Sequence, residues 1–590
     1  MTGSPGTPDR REGGRIRRPA RVLWAVALLV CPLSAAGALE PAGQEPSGPA
    51  GTEPSAGAGT PEVPAVSEPS GQAAGSAEAA SEGAAYAISL SESIERALRR
   101  NLDIAVRRIT PDITAALVTR EEAVFDSSLD FITLADESSE PTSSTLGGAD
   151  VITDETRSLE VQYNDPLPSG GRYRLMLRGL RSETNSAFAT VNPSFFSQWE
   201  LSFSQPLLKN FGLNANRTRL EVARNSHAMS RSDFRQTVLQ VVSDVEKAYW
   251  ELAFRILDLE VKNQSLELAQ DLLRLNRTKV QVGTLAPIEI TQAEAGVADR
   301  EEAVIVAQNE IRNAEDRLKR LMGPPSDPIW ALTLRPMEEP PFDESIPELQ
   351  GSLELAMQHR PDLERARLNL QTREVEYRLA RNQRRLDLQL DASYGARGLA
   401  GEFTDCRDPS GVSLGAIDQA FFTAAECALA GGTPVSVEND FSDAARQARE
   451  RDADTWRVGL NLKVPLGNRD ARSRYIAARL TREQAEIELR QQEQTATVEV
   501  RQSVRQIETD IKRVKAARVN SRLQKEKLEA EQKKFENGIS TSFNVLEFQE
   551  DLAQARSREN LALVDYNKSR AEMQRVLGSL SADRDIGLRP

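Results

Sequence analysis

Two long segments of the 590-residue sequence carry apolar residues at alternating spacings of four and three positions. This heptad spacing is typical of α-helices that pack along their length against other helices. The two stripes are Val238, Val242, Val245, Tyr249, Leu252, Ile256 and Leu259, and then Val500, Val504, Ile507, Ile511 and Val514. We therefore predict two long helices, over about 215–282 and about 470–537, each about 100 Å long. A further stripe of Ala516, Val519 and Leu523 predicts that the second long helix contacts neighbours on two sides.

The sequence repeats one arrangement of elements. Segment 94–104 recurs as 353–363, and Pro206-Leu207 recurs as Pro465-Leu466, both at an offset of 259. At an offset of 255, Lys279, Gly283, Ala307, Arg320 and Gly323 match Lys534, Gly538, Ala562, Arg575 and Gly578. Each half is predicted to run short helix, strand region, long helix, tight turn, second short helix, the short helices of the first half covering about 88–123 and 288–322. The predicted boundaries are 88–325 for the first repeat, 326–349 for a linker, 350–580 for the second repeat and 581–590 for a C-terminal tail.

Other segments alternate apolar and polar residues with a period of two, which predicts β-strands. They are 386–394, 456–464, 199–203 and 129–131, two for each half. In a membrane barrel the apolar set faces lipid and the polar set faces water, although a soluble β-sandwich would show a similar alternation. Four strands cannot close a barrel, because the smallest membrane barrels use about eight. A barrel would therefore have to pool strands from several subunits.

The N-terminus has the features of an export signal. Arginines precede an apolar run from Val22 to about Leu33, and small residues follow, which predicts a signal peptide over 1–38. The run is too short to span a bilayer, which needs about 20 residues. Val30 stands where a small residue should precede a lipidated Cys31, which argues against lipidation. Segment 39–87 is rich in Pro, Ala, Gly and Glu and is predicted to be a disordered tether.

Composition argues against several classes of function. The formal net charge of −14 makes nucleic acid an improbable ligand. Two histidines and three cysteines are too few for a His/Cys metal cluster or a Cys-His catalytic site. No convergent set of titratable groups suggests an enzyme. We therefore predict no catalytic residue, no cofactor and no metal.

An ordered set of short motifs resembles one known family, the TolC-like outer-membrane efflux proteins, also called outer membrane factors. The motifs are Leu90-Ser91-x-Ser93-Ile94-x-x-Ala97-Leu98-x-x-Asn101-x-Asp103, Gln205-Pro206-Leu207, Ala356-x-x-x-Arg360-Pro361-Asp362-Leu363, Val464-Pro465-Leu466 and Phe535-x-x-Gly538-x-Ser540. The resemblance covers about 88–580. It implies an α+β membrane protein, a homotrimer whose subunits each give about four strands to one 12-stranded barrel in the outer membrane of a Gram-negative bacterium. A helical coiled-coil barrel would continue it through the periplasm.

The resemblance also implies a function. Such a channel conducts substrates passively from an inner-membrane transporter and a periplasmic adaptor to the exterior, in efflux or type I secretion. The alternative is a periplasmic coiled-coil scaffold or tether that conducts nothing. The alternating strands discriminate the two, because a scaffold needs no lipid-facing sheet.

The sequence departs from the family pattern in three places, namely the predicted tether and two insertions. Segment 136–192 carries its own alternation around Pro168-Ser169-Gly170-Gly171, which predicts an additional hairpin and leaves room for more than four strands. Segment 395–454 carries Cys406 and Cys427, the only cysteines after the predicted signal peptide. In an oxidising compartment we expect these two to form a disulfide.

The expected functional site is the helical end opposite the membrane. Gly283 and Gly538 follow the long helices and suit the left-handed position past a helix end. Beyond them lie Glu289 and Gln292 in the first half and Asn544 and Glu547 in the second. The resemblance implies an acidic ring at the positions of Asn544 and Glu547, of which only Glu547 keeps the carboxylate. Glu289 follows Pro287 and could instead only complement the helix dipole.

Overall fold

The computed structural model describes residues 85–142, 149–186, 189–413 and 424–579. The predicted signal peptide, almost all of the predicted tether and the predicted tail lie outside the described residues. The helices are α1 (Leu90–Arg100), α2 (Leu102–Glu122), α3 (Leu213–Asn216), α4 (Thr218–Gln281), α5 (Ile288–Met322), α6 (Leu349–His359), α7 (Pro361–Gln383), α8 (Ala424–Leu429), α9 (Phe441–Glu450), α10 (Arg469–Glu536) and α11 (Ser542–Leu577). Across the described ranges, no helix combines the length and the apolar character needed to cross a membrane.

The two long helices are α4 and α10, as the heptad spacing predicts. Val245, Tyr249 and Leu252 of α4 have no exposed surface, and Val500 and Val514 of α10 are buried as completely. The helix α4 packs against α2, α5, α7 and α11, and α10 packs against α7 and α11. The helices therefore form a wall, in which the order is α2, α4, α7, α10 next to the sheet and α5, α4, α11, α10 farther from it.

The short helices at the start of each repeat break at the motif residues. Asn101 separates α1 from α2: its Oδ1 accepts hydrogen bonds from the backbone N–H groups of Asp103 (2.9 Å) and Ile104 (3.1 Å). Its side-chain amide donates to the carbonyl of Leu321 near the end of α5, at 2.9 Å. Asn101 therefore both caps α2 and joins the helix break to the end of α5.

Arg360 has the corresponding position in the second repeat, before Pro361 at the start of α7. Its guanidinium donates to Glu499 at 2.6 Å and to Asp362 at 2.7 Å. It also donates to the carbonyl of Val576, near the end of α11, at 3.4 Å. Since Val576 is 255 positions after Leu321, the two repeats build the same junction with different side chains.

A small parallel sheet lies where the chain enters the first repeat. Its strands β1 (Ala85–Ile88) and β6 (Thr333–Pro336) come from the ends of the predicted tether and from the predicted linker. Ile88 is fully buried, and the hydroxyl of Tyr249 donates to Glu338 and accepts from the backbone N–H of Met337 at 3.1 Å. The prediction that 85–87 belong to a disordered tether is therefore wrong, because these residues pair with β6 and pack on α4.

The other strands form one larger antiparallel sheet. They are β2 (Ser128–Pro141), β3 (Val151–Pro166), β4 (Arg172–Thr184), β5 (Ser194–Pro206), β7 (Asp387–Arg407), β8 (Thr433–Glu438) and β9 (Ala453–Lys463). The order is β2-β3-β4-β5-β7, with β9 and the short β8 both paired with β7. All four predicted strands are present. The hairpin β3–β4 adds two long strands to the four of the family pattern, because the alternating residues of 136–192 pair on both sides within the sheet.

Candidate functional site

The two helix-to-helix turns farthest from the sheet have the same geometry. Gly283 and Gly538 both have φ of +74°, a left-handed conformation that a glycine adopts without strain. In each turn the residue after the glycine donates its N–H to a carbonyl five positions back: Thr284 to Lys279 and Ile539 to Lys534, both at 2.9 Å. This is the hydrogen bond of a Schellman motif, and it closes the long helix at its end.

Side chains hold the two turns of one subunit together. The ammonium of Lys279 donates to the carbonyl of Phe535 at 3.1 Å and lies 4.1 Å from the centre of its ring. The hydroxyl of Ser542 at the start of α11 donates to the carboxylate of Glu289 at the start of α5. Phe535 is buried and packs with Leu272 of the first repeat and Val545 of the second.

Glu289 and Gln292 differ in their surroundings. Glu289 is half-buried, its carboxylate accepts from Ser542, and its carbonyl accepts from the side-chain amide of Asn276 at 3.2 Å. Gln292 is exposed. Glu289 therefore lies in the first turn of α5 and also links α5 to α11 through this hydrogen bond.

On the second repeat, Asn544 belongs to a hydrogen-bonded chain. Its amide donates to the hydroxyl of Ser540 at 3.2 Å, and that hydroxyl donates to Glu531 at 2.6 Å. Lys534 also pairs with Glu531, at 2.9 Å. The hydrogen bond from Ser540, followed by that from Lys534, lowers the pKa of Glu531. Glu531 could not be predicted from the sequence, because its bonding depends on the turn that brings Ser540 back to α10.

Glu547 lies three residues beyond Asn544 on α11, and it is exposed. The backbone beside it is fixed by Arg300, whose guanidinium donates to the carbonyl of Leu546 at 3.1 Å. Arg300 is buried and also donates to Ser265 of α4 at 3.0 Å. Sequence comparison of the repeats did not reveal this arginine, because Ala555 occupies the matching position in the second half.

At the opposite end of the molecule, a disulfide joins Cys406 of β7 to Cys427 of α8, with an S–S distance of 2.06 Å. Both cysteines are fully buried. The bond spans 21 positions of the second insertion, beyond the part of β7 that pairs with β9. It therefore belongs to the outer loop and not to the helical wall.

The sheet has one apolar and one polar face. One row of paired residues across all six long strands is apolar or aromatic: Leu129, Tyr163, Leu175, Leu201, Tyr394 and Trp456. The neighbouring row on the other face is polar: Ser128, Asn164, Arg174, Ser202, Ser393 and Arg457. A sheet with one lipid-compatible face and one water-compatible face, continued by a helical wall, defines the class of outer-membrane channel-tunnels.

The comparisons identify the family. The profile of the outer membrane efflux protein family matches residues 154–324 and 352–579, so the chain belongs to this family. It is similar in structure to the Campylobacter jejuni CmeC outer membrane channel, with 16% identity, a TM-score of 0.55, and coverage of 83% of this chain and 85% of that one. It is also similar to the outer membrane protein VceC from Vibrio cholerae, with 15% identity, a TM-score of 0.55, and coverage of 83% and 96%. No curated protein sequence matches significantly.

Membership in the family confirms the predicted fold class, a membrane protein in which an outer-membrane β-barrel continues into a periplasmic helical barrel. The two matched segments correspond to the two repeats of the sequence. The protein is thus located in the outer membrane of a Gram-negative bacterium and extends into the periplasm. Proteins of this family are passive channels, and the protein is not an enzyme.

Proposed function

We propose that the protein is the homotrimeric outer-membrane duct of a tripartite efflux or type I secretion system. In this proposal it receives substrates from an inner-membrane transporter and a periplasmic adaptor and conducts them to the exterior. The observation that carries the proposal is that one subunit presents apolar stripes and open strand edges on two opposite flanks.

The first flank is formed by α2 and β2. The helix α2 exposes Val106, Ile109 and Ile113 to between 56% and 68% at heptad spacing. Beyond it, β2 pairs only with β3 among the described residues, which leaves its other edge open. A stripe of this kind needs a partner helix, because an apolar seam left in water loses the free energy that burial would contribute.

The second flank is formed by β9 and α10. Within the described residues, β9 pairs only with β7, so its other edge is open. Along α10, Ile476 and Leu480 are about half exposed. Val519 and Leu523, nearer the C-terminal end of the helix, are exposed to the same extent. The predicted second contact face of α10 therefore has no cover within the described part of its own subunit, which supports a neighbouring subunit as its partner.

These flanks fit a ring of identical subunits. The chain leaves α2 into β2 and returns from β9 into α10, so each flank continues from helix to strand without a break. The flank of α2 and β2 in one subunit would meet the flank of α10 and β9 in the next, which is a head-to-tail contact that closes by rotation. Three such contacts would enclose a duct whose polar sheet face lines water.

The end farthest from the sheet would receive the adaptor. Val282 and Ile539, each beside a turn glycine, are 69% and 77% exposed, and Ile288 and Phe543 follow in the next helical turns at 58% and 60%. An exposed apolar cluster at one end of a molecule is typical of a protein-binding surface. In the trimer each subunit would present two such turns, which gives six around the entrance.

Glu547 would act at the same entrance. Three symmetry-related carboxylates around a narrow opening favour cations over anions. Glu289 would contribute less, because its carboxylate is already hydrogen-bonded to Ser542.

The proposal is tested by cross-linking cells that express the tagged protein and identifying what co-purifies. A periplasmic adaptor and its transporter should be captured by the wild type and lost in Ile539→Asp. Leu429→Asp is the matched control, because Leu429 is 88% exposed at the opposite end of the molecule. Capture that is unchanged by Ile539→Asp, or that never includes an adaptor, would contradict the proposal.

A further inference from the structure

We infer that each subunit contributes six strands to the barrel wall, so that the trimer closes an 18-stranded barrel and not one of 12. The inference rests on the proposed trimer. The two additional strands per subunit are the hairpin β3–β4. Barrel diameter rises roughly in proportion to strand number, so the duct at the membrane would be about half as wide again as a 12-stranded one.

The pairing of the strands indicates that the hairpin β3–β4 belongs to the barrel wall. The hairpin does not pair only with itself. The strand β3 pairs with β2 from Asn164 opposite Ser128 to Val151 opposite Pro141, and β4 pairs with β5 from Arg172 opposite Ser204 to Ser182 opposite Ser194. The strands β2 and β5 are the neighbours in sequence that a four-strand subunit would pair directly. Here two strands separate them along their full length.

The two faces of the hairpin also support a wall of six strands per subunit. On the apolar face, the rings of Tyr173 in β4 and Phe203 in β5 pack with centres 4.9 Å apart. On the polar face, the amide of Asn164 in β3 donates to Asp130 of β2 at 2.9 Å, and Arg174 of β4 donates to Asn164 at 3.0 Å. A loop outside the wall would have no need to keep its apolar and polar residues in register with the wall on both faces.

The two ends of the hairpin are also anchored to the wall. At the helical end, the carbonyl of Ser169 accepts from the N–H of Gly212, in the connection from β5 to α4, at 3.1 Å. Gly170 has φ of +94°, and a Cβ there would lie 2.5 Å from the carbonyl oxygen of Asn210. Only glycine suits both the conformation and the close approach, so the turn packs directly against this connection.

At the outer end, the helix α9 crosses the apolar face of β4, β5 and β7. The ring of Phe441 occupies the space beside Gly179 of β4, where a Cβ would lie 2.8 Å from ring atoms. The indole N–H of Trp199 in β5 donates to the carbonyl of Ala448 at 2.9 Å, and Gln447 accepts from the N–H of Leu399 in β7 at 3.1 Å. One helix therefore ties the inserted hairpin to the strands on which the family pattern depends.

The remaining edges are those of β2 and β9. Within the described residues, β2 pairs only with β3 and β9 only with β7. The chain runs along β2 away from α2, and along β9 toward α10. If β2 of one subunit pairs with β9 of the next, the two strands are therefore antiparallel. Three subunits of six strands give 18 strands, an even number, as bacterial outer-membrane barrels require.

Two matched cysteine pairs test the inference in the full-length protein in its native membrane. Leu175→Cys with Leu201→Cys joins directly opposed positions of β4 and β5 and should form a disulfide on oxidation. Leu129→Cys with Leu201→Cys should not, because β2 and β5 are three strand spacings of about 4.8 Å apart, beyond disulfide reach. Cross-linking of the second pair, or failure of the first, would overturn the six-strand wall.

A strand count in a cross-section of the wild-type particle, imaged by electron cryomicroscopy in lipid nanodiscs, provides a second measurement that needs no substitution. We expect 18 strands around three subunits. Twelve strands in a trimer would overturn this inference and leave the proposed duct intact. A particle that is not a trimer would overturn both.

Discussion

The two repeats agree in their helices and differ in their strands. Helices α4 and α10 have 64 and 68 residues, and α5 and α11 have 35 and 36. The first repeat, however, supplies the four strands β2 to β5, whereas the second supplies β7 and β9 and the loop with the disulfide. Helices of one wall must match in length, because each buries its stripe along the full length of its neighbours. Strands can be added in pairs, because a hairpin with the same two faces leaves the flanks unchanged.

The helix breaks of the two repeats differ in their side chains, and substitutions there should have the largest effect on stability. Arg360→Ala removes a buried guanidinium from two carboxylates and should lower the stability of the folded protein by about 2–3 kcal/mol, somewhat below the range for fully buried pairs because Glu499 is partly exposed. Asn101→Ala removes a helix cap and one hydrogen bond and should cost about 1–2 kcal/mol. Denaturation midpoints of the solubilised protein measure both. Equal losses, or a larger loss for Asn101→Ala, would contradict the account of the two junctions.

An acid-sensitive anchor lies just after the first repeat, where Asp327 of the linker meets α1. Burial raises the pKa of Asp327, but hydrogen bonds from the N–H of Ile329 and from Arg96 and Arg100 of α1 outweigh burial and lower it to about 2. The stability that this lowered pKa contributes is present above about pH 4, the ordinary pKa of aspartate, and is lost as the pH falls through about 2.

Asp327→Asn should therefore destabilise the protein at neutral pH and show a smaller further loss than the wild type between pH 4 and pH 2. Denaturation midpoints at several pH values check this, with exposed Asp470→Asn as the control. Parallel curves for wild type and Asp327→Asn would contradict the assignment.

The two turns differ in how their carboxylates are placed, and this predicts a difference in ion selectivity. In planar bilayers under a salt gradient, Glu547→Gln should shift the reversal potential toward anions, because three exposed negative charges are lost. Glu289→Gln should shift it less, since Glu289 bonds to Ser542. Asn544→Asp should strengthen cation preference. Glu547→Gln should fold, because an exposed polar substitution changes stability by about 0.5 kcal/mol. Glu289→Gln keeps an oxygen that can accept the hydrogen bond from Ser542. An unchanged reversal potential in Glu547→Gln and Asn544→Asp trimers would remove the entrance ring from the account.

The smallest effect on the wall is expected from the disulfide, which only the second repeat has. A non-reduced digest analysed by mass spectrometry should contain the linked peptide of Cys406 and Cys427. Cys406→Ser with Cys427→Ser should leave the trimer and its conductance unchanged, because the bond lies in the outer loop. Two free thiols in the wild type would refute the pairing, and loss of the trimer in the double variant would show that the loop supports the wall.

Periodicity in the sequence was enough to predict most of the fold. The stripe from Val238 to Leu252 and the alternation from Trp456 to Leu462 each reflect one packing surface, so their elements can be predicted from spacing alone. The parallel pair β1–β6 could not be, because strands of four residues carry almost no periodic signal. Their pairing depends on Ile88 and Leu334 meeting the core around Tyr249, and no local pattern encodes that long-range contact.

The candidate site was predicted less completely than the fold. Repeat matching located Gly283 and Gly538, because a left-handed turn restricts the residue type. It did not find Arg300, Glu531 or the pairing of Ser542 with Glu289. The matching residues of the other repeat are of different types: Ala555 for Arg300, Asn276 for Glu531 and Asn544 for Glu289. Such contacts follow from the packed structure and not from spacing along the chain.

In the proposed duct one chain forms one third of the closed wall, and the mass of the particle tests this most directly. Light scattering of the protein extracted from outer membranes, corrected for bound detergent, should give the mass of three chains in a single species. A monodisperse monomer, or a dimer that is soluble without detergent, would contradict the account.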